Sequence, residues 1–464
     1  MLLLAILLRL ALVFYPEPFW YDEAFSHILA TLPVTRLLAA TAGDVHPPLY
    51  YLLLAAWTRV CGESVAATRA LALVLSLVAL VLFRDVLTGL PARVRRYAWL
   101  LALFLPGLVH HSAEARMYML LACYVLAALV ILRAPFPARD LWGNLARAFI
   151  AGVLCAGACL THNAGALYCV VIALAVFVRD PARWSVLSVA GGTALCLWLV
   201  LWGEAFFAQL RAVDAAYWIW TPNLGTLAYT VYSAVFPSGH IPPGVDALLM
   251  LLLVPVLVLG TRRAEATARV LALGVPVLAF VIARAGAPSV LMYRVLVPGL
   301  FFACIPWAYA LTRRDVGRAL TVLTVVALVY VNGLTLLNGR LNDDTGTSGA
   351  LALAPGDVIY AANRVSIPLP YYGDAPIYVL PESTEGGMNS GLSDATLAAL
   401  GIEQTGLEYL AFNRAWLLWL RQADAPAPEA WYVDALVRCY HGDLAASFDA
   451  ADGSLKGELW LLYP

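Results

Sequence analysis

The sequence predicts an all-α polytopic membrane protein with a small soluble α/β domain at its C-terminal end. Three observations carry this. Of 464 residues, 62% are hydrophobic and 13% charged, with a mean hydropathy of +0.79, whereas an ordinary soluble domain has about 25% charged residues. Apolar runs of about 17–20 residues, the length that crosses a bilayer as helix, recur along most of the chain. After residue 340 those runs stop and short mixed segments replace them. A net charge of -1 gives no footprint for nucleic acid.

About eleven spans are expected, near 2–15, 66–83, 98–113, 117–132, 146–161, 164–178, 185–202, 245–260, 270–284, 295–311 and 319–337. The first run lacks a basic leading region and a small-residue cleavage site, so it reads as a retained helix rather than a signal peptide. All but one of the 29 basic residues are Arg, Lys456 being the exception. Fifteen of those arginines fall in alternate connections, at 84–96, 133–147, 179–183, 262–269 and 313–318. The other connections are longer in total, yet before the tail they hold only Arg36, Arg59, Arg69, Arg116, Arg211, Arg284 and Arg294. Excess Arg marks the cytoplasmic side. On this count "WYDEAFS", "GDVHPPLYY", "HHSAEARMY", "THN", the connection 203–244, "APSVLMYR" and the tail all face outward.

The first outer connection, about 16–65, is too apolar for a free loop. "EAFSHILATL", "PVTRLLAATAG" and "PPLYYLLLAAWTRV" each read as a short helix with one apolar face, suited to the interface. The prolines before the third stand where a missing N–H costs little. In the tail, "NGRLNDDTGTSG" (338–349) is a polar linker. "DVIYAA" (357–362) and "APIYVL" (375–380) read as strands, "EAWYVDALVRCY" (429–440) as a helix, and 444–464 as a hairpin turning at Asp452-Gly453. Two domains follow, 1–339 in the membrane and 340–464 outside it.

Most of the eight Cys lie in apolar runs, where Cys acts as a small hydrophobe. None forms a CxxC pair or a zinc-type cluster. Only Cys61 and Cys439 are expected outside the membrane, and a disulfide between them is not the favoured reading.

The chemistry-bearing residues gather at outer helix ends. Asp22 opens the first interfacial helix. Its structural reading is an N-cap, with Glu23 favourable to the macrodipole; its functional reading is a general base for an acceptor hydroxyl. Asp44 and His46 sit in "DVHPP", a rigid turn that by itself needs no function. Arg116 sits in a short hairpin between Glu114 and Tyr118, beside His110 and His111. It reads either as an interface anchor that snorkels or as a planar, permanently charged fork for phosphate. His162 and Arg294 are further polar residues at outer helix ends. A charge stranded mid-bilayer costs roughly 2.5–3.5 kcal/mol on insertion scales, so the interface is the natural depth for such a group.

An apolar first helix followed by "DE", then "DVHPPLYYLLL" and "EARMYML", resembles the GT-C membrane glycosyltransferases of family 39. These are the protein O-mannosyltransferase and ArnT-like enzymes, and the bacterial branch is the nearest look. "THNAGALY" and "MYRVLVPGL" sit where that branch places similar segments. The similarity covers roughly residues 1–340. It implies a polyprenyl-phosphate-linked sugar donor and a lipid, glycan or protein acceptor at the outer face of a bacterial inner membrane. Asp22 would then be the catalytic base of an inverting transfer, and Glu23 would complete the acidic pair. Asp44, His46, Tyr118 and His162 would shape the donor or acceptor pocket, and Arg116 and Arg294 would hold the lipid phosphate. No cofactor is implied, although Asp22, Glu23 and Asp44 offer ligands for a divalent cation. One departure is Tyr51, in a stretch where the eukaryotic protein mannosyltransferases follow HPP with Lys. A transporter or flippase of lipid-linked sugars is the competing reading, but no inverted repeat supports it.

The arginine pattern is tested by labelling. In a Cys-free background, a thiol introduced by Arg139→Cys should react with an impermeant maleimide only after the membrane is opened. Labelling of intact cells would reverse the orientation.

Overall fold

The computed structural model describes residues 1–17, 19–136, 140–213, 221–237, 241–339, 353–354, 357–361, 375–380, 394–404, 415–422, 433, 436–438, 440, 442–449 and 455–463. The chain forms two compact units, one of Met1–Tyr15 with His46–Arg340 and the other of Pro16–Val45 with Leu341–Pro464. Residues 16–45, grouped by sequence with the helical domain, belong by packing to the C-terminal unit.

In chain order the helices up to the tail are α1 (Leu2–Val13), α2 (Tyr21–Thr31), α3 (Val34–Gly43), α4 (Leu49–Cys61), α5 (Val65–Val86), α6 (Ala92–Phe104) and α7 (Pro106–His111). Then come α8 (Tyr118–Arg133), α9 (Leu141–Thr161), α10 (Gly165–Arg179), α11 (Trp184–Trp198), α12 (Glu204–Val213) and α13 (Leu224–Val235). The last are α14 (Pro243–Arg263), α15 (Ala266–Arg284), α16 (Val297–Leu311) and α17 (Gly317–Asn338). All but α2 and α3 belong to the first unit.

Among the described residues, seven helical stretches are long and apolar enough to cross a membrane: Val65–Val86, Leu141–Thr161, Pro181–Arg211, Pro243–Arg263, Ala266–Arg284, Tyr293–Leu311 and Gly317–Asn338. The other expected spans are helical too, but α1, α8 and α10 are shorter, and the run expected at 98–113 is two helices. The protein is a multi-pass membrane protein. The connection expected at 203–244 is not one loop. A π-turn at Leu199–Gly203 leads α11 into α12, and α13 follows. The backbones of α7 and α13 approach closely: a Cβ on Gly107 would lie 1.9 Å from the Ala234 carbonyl oxygen. α16 is the central helix of the unit, buried from Val297 through Leu311 on most of its surface.

The break between α6 and α7 has a local cause. Pro106 has no N–H and forces the preceding residue out of helical geometry, and Leu105 is extended at φ -63, ψ 121. The carbonyls around the break lose their intrahelical donors. Arg9, buried in α1, donates from Nη1 to Leu103 O at 2.7 Å and from Nη2 to Ala102 O at 3.4 Å. Asn332 of α17 donates from Nδ2 to Phe104 O at 2.8 Å. A basic residue in an apolar first helix is thereby explained: neighbouring side chains satisfy the backbone that proline frees.

In the second unit, α2 and α3 accompany a six-stranded sheet in the order β3-β2-β1-β4-β6-β5. The strands are β1 (Val358–Ala361), β2 (Ile377–Val379), β3 (Glu403–Gln404), β4 (Ala415–Gln422), β5 (Asp443–Asp449) and β6 (Leu455–Leu462). β1 runs parallel to β2 and β4, while β6 is antiparallel to both β4 and β5. The two expected strands and the terminal hairpin are present; the hairpin's turn, Cys439 and most of the helix expected at 429–440 lie outside the described residues. Tyr360, Leu417, Trp419 and Leu462 form the core of one face. α18 (Asp394–Leu400) packs on α3. There Arg36 donates to the Ala399 carbonyl, and Thr396 Oγ1 to Ala40 O at 3.4 Å. These contacts give the amphipathic α3 a protein partner.

Replacing Arg9 with Met should leave two buried carbonyls bare, at a cost of about 1–3 kcal/mol each. Reversible unfolding in mixed micelles measures the loss. Unchanged stability would remove Arg9 from the account of the break.

Candidate functional site

The break aims α7 and the following turn into the first unit. Every residue from Pro106 to Cys123 is buried, including His110, His111, Ser112, Glu114 and Arg116. Tight local bonds hold the turn: Ser112 Oγ donates to Val109 O at 2.6 Å, and Arg116 N–H to Glu114 O at 2.7 Å. Arg116 is 3% exposed. The anchor reading is therefore corrected, because a snorkelling side chain must reach water. Its Nη1 instead donates to the Tyr51 hydroxyl at 3.4 Å.

Five of the expected residues converge here. His46, just before α4, meets His162 edge-on with ring centroids 5.3 Å apart. His162 lies 6.3 Å from the ring of Tyr118, the first residue of α8. Arg294, in a 3-10 turn at Tyr293–Leu296, holds its guanidinium 5.6 Å from the centre of the Tyr293 ring. Arg116 and Arg294 both act electrostatically on His162. The site is thus assembled from the start of α4, the α7–α8 turn, the end of α9 and the turn before α16.

His162 ends α9 in an extended conformation. Its Nδ1 accepts the Ala164 N–H at 3.0 Å. This fixes the tautomer with the proton on Nε2, so the ring offers a neutral donor. Burial first, then the charges of His46, Arg116 and Arg294, hold its pKa well below the ordinary 6.5.

The sequence reading missed four contributors. Tyr51 receives Arg116. Tyr168, fully buried, donates to Val295 O at 2.8 Å and accepts the Gly299 N–H at 3.1 Å, which secures the turn that carries Arg294. Its signal was its place in "THNAGALY". His111 pairs through Nδ1 with Glu114 Oε2. Burial pushes the Glu114 carboxyl up, but the charges of His111, His110 and Arg294 outweigh this and leave it below its usual value. Among the described residues, His110, His111 and Glu114 are the group of three possible ligands that comes together, with ligand atoms within 4.8 Å.

The other three expected residues lie in the second unit. Asp22 is not the N-cap of α2; that position is Trp20, with no side-chain cap. The capping reading is corrected because the chain turns helical at Tyr21, two residues before the Glu23 start that an Asp22 cap requires. Asp22 and Glu23 occupy the first turn, favourable to the helix dipole, and Glu23 is fully buried. Asp44 ends α3.

No family model and no curated protein matches the chain. Solved structures do. ArnT from Cupriavidus metallidurans in the apo state aligns over 98% of this chain and 96% of its own, at 13% identity and a TM-score of 0.54. The same protein bound to undecaprenyl phosphate aligns over the same shares at 14% identity and a TM-score of 0.57. The oligosaccharyltransferase of Archaeoglobus fulgidus aligns over 77% of this chain and 62% of its own, at 14% identity and a TM-score of 0.44.

The depressed His162 predicts a pH effect. Its stabilising contribution is complete above the unfolded value near 6.5 and is lost as pH falls toward the folded value. Thermal unfolding in detergent should therefore weaken from pH 7 to pH 5, and weaken less in His162→Gln. An equal fall in both proteins would place the sensitivity elsewhere. Taken together, the helical architecture and the two ArnT alignments give the chain the GT-C fold of ArnT.

Proposed function

We propose that the protein is an integral membrane glycosyltransferase that moves a sugar from a polyprenyl-phosphate donor to an acceptor hydroxyl. The observation that carries this is that Arg116 and Arg294 both act on His162, which meets His46 and Tyr118 at helix ends within a GT-C fold. Two permanent cations beside a neutral histidine donor suit a phosphate whose lipid tail remains in the bilayer. In this reading the guanidiniums bind the donor phosphate and stabilise the charge left on it when the sugar departs. The Nε2–H of His162 orients the donor without adding charge.

Asp22 is the general base. It takes the proton of the acceptor hydroxyl, whose oxygen attacks the anomeric carbon opposite the phosphate and inverts it. Glu23 and Asp44 support the acceptor side. The chemistry asks for no nucleotide and no cofactor, because the donor arrives already activated as a lipid phosphate. The sugar is a hexose or pentose, and the acceptor a lipid, glycan or protein. The arginine count supports an outward-facing site and C-terminal domain, and the family resemblance supports a bacterial inner membrane.

Transfer in liposomes loaded with defined undecaprenyl-phosphate sugars tests the reading. Asp22→Asn should lower turnover by about a hundredfold or more while donor binding persists. Arg116→Ala should weaken donor binding by about ten- to a hundredfold, the worth of a charged hydrogen bond. Near-normal turnover of Asp22→Asn would remove that residue from the mechanism. Lipid movement across the bilayer without transfer would favour a flippase.

A further inference from the structure

Three cysteines of the helical unit take no part in the chemistry above. Cys155 and Cys159 stand one turn apart on α9, and Cys169 lies in the second turn of α10. The short turn at 162–164 folds α10 back against α9. Their backbones meet there: a Cβ on Gly165 would lie 2.3 Å from the Ala158 carbonyl oxygen. So close an approach lays the side chains of one helix on the other. Cys169 Sγ donates to Cys155 O at 3.6 Å, and the Cys169 side chain meets the thiols of both Cys155 and Cys159. Cys155 is buried, and Cys159 and Cys169 are partly exposed.

Thiols in contact can hold a soft cation or join to each other. A soft cation binds thiolates. Two thiolates around a monovalent cation leave a net negative charge, and no Arg or Lys stands between Arg147 and Arg179 to balance it. A disulfide is neutral and suits an apolar helix pair. In the outward orientation that the arginine count supports, α9 runs from Arg147 out to Thr161. Its two thiols then lie only about 3 and 9 Å short of the outer end, at the helical rise. The outer side of a membrane is where disulfides form and persist.

We infer that Cys155 and Cys169 are a disulfide-forming pair, oxidised by a lipid-soluble quinone. Cys155 is the level partner: it precedes Ala158 by three residues, and Cys169 follows Gly165 by four. Cys159, one turn nearer the outer end, keeps its thiol. Two S–H bonds break and one S–S bond forms. Two electrons and two protons pass to the quinone, which leaves as the quinol. A lipid-soluble oxidant is required because α9 is long and apolar enough to cross the membrane. The bond closes a loop around the turn that carries His162. That turn is held by the His162 N–H, which donates to Ala158 O at 3.1 Å, and by the Gly165 N–H, which donates to His162 O at 2.7 Å. The cross-link restrains the unfolded chain and secures these bonds. None of this depends on which reaction the protein catalyses.

Trypsin cuts after Arg147 and Arg179 and nowhere between, so one peptide carries all three thiols. Purified protein in nanodiscs is reduced with tributylphosphine, treated with decylubiquinone, denatured, alkylated with N-ethylmaleimide and digested. Without quinone the peptide should carry three maleimides. After quinone it should carry one, on Cys159, and be lighter by two hydrogens. Cys159→Ser should still close and carry none. Cys169→Ser should stay open and carry two, because the remaining thiols stand one above the other on the same helix. The oxidised wild type should unfold at a higher temperature than the reduced form, a gap that Cys169→Ser should lose. If Cys169→Ser does not fold, the wild-type maleimide count decides. Three maleimides on the wild-type peptide after quinone would overturn the inference. So would a single maleimide on Cys155, which would make Cys159 the partner. Stoichiometric copper held by wild type and lost in Cys169→Ser would assign the thiols to a soft cation and overturn it as well.

Discussion

The helical unit depends on how the chain breaks at Leu105–Pro106 without leaving its backbone bare. Proline removes a donor and bends the chain, which by itself would strand carbonyls in an apolar interior. Arg9 and Asn332 supply the missing donors from two other helices. The break therefore ties α1, α6, α7 and α17 together. It also redirects the chain so that "HHSAEARMY" is buried in the protein.

Burying that segment concentrates charge. Arg116, Glu114, His110 and His111 are all taken from solvent within one turn. Isolated buried charges are costly unless paired. Glu114 is paired with His111 and lies in the field of Arg294, and Arg116 reaches the Tyr51 hydroxyl. His162 stays neutral, with its tautomer set by the Ala164 N–H. The outcome is a buried cluster of titratable side chains held in place by packing. Tyr168 extends this order to the turn that bears Arg294.

The second unit shows how far local pattern falls short of tertiary assignment. α2 and α3 look like interfacial helices because each has one apolar face. That face records only that something apolar covers it. For α3 part of the cover is α18, with Arg36 and Thr396 sealing the contact. β4 was missed because "AWLLWLRQ" is a nearly continuous apolar run, without the alternation that marks a half-buried strand.

By itself the sequence determined the helical membrane architecture, the ends of most helices, the strands β1 and β2, and the company of His46, Arg116, Tyr118, His162 and Arg294. Those features follow from local hydrophobicity, from proline and from arginine placement, all of which act over a few neighbouring residues. Only the tertiary structure decided that Arg9 satisfies a break 93 and 94 residues away, that Arg116 is buried rather than snorkelling, and that His111 joins Glu114. It also decided that residues 16–45 pack with the C-terminal sheet. The physical reason is the same in each case. A hydrogen bond or a buried face needs a partner, and the partner lies far along the chain, where no local pattern records it.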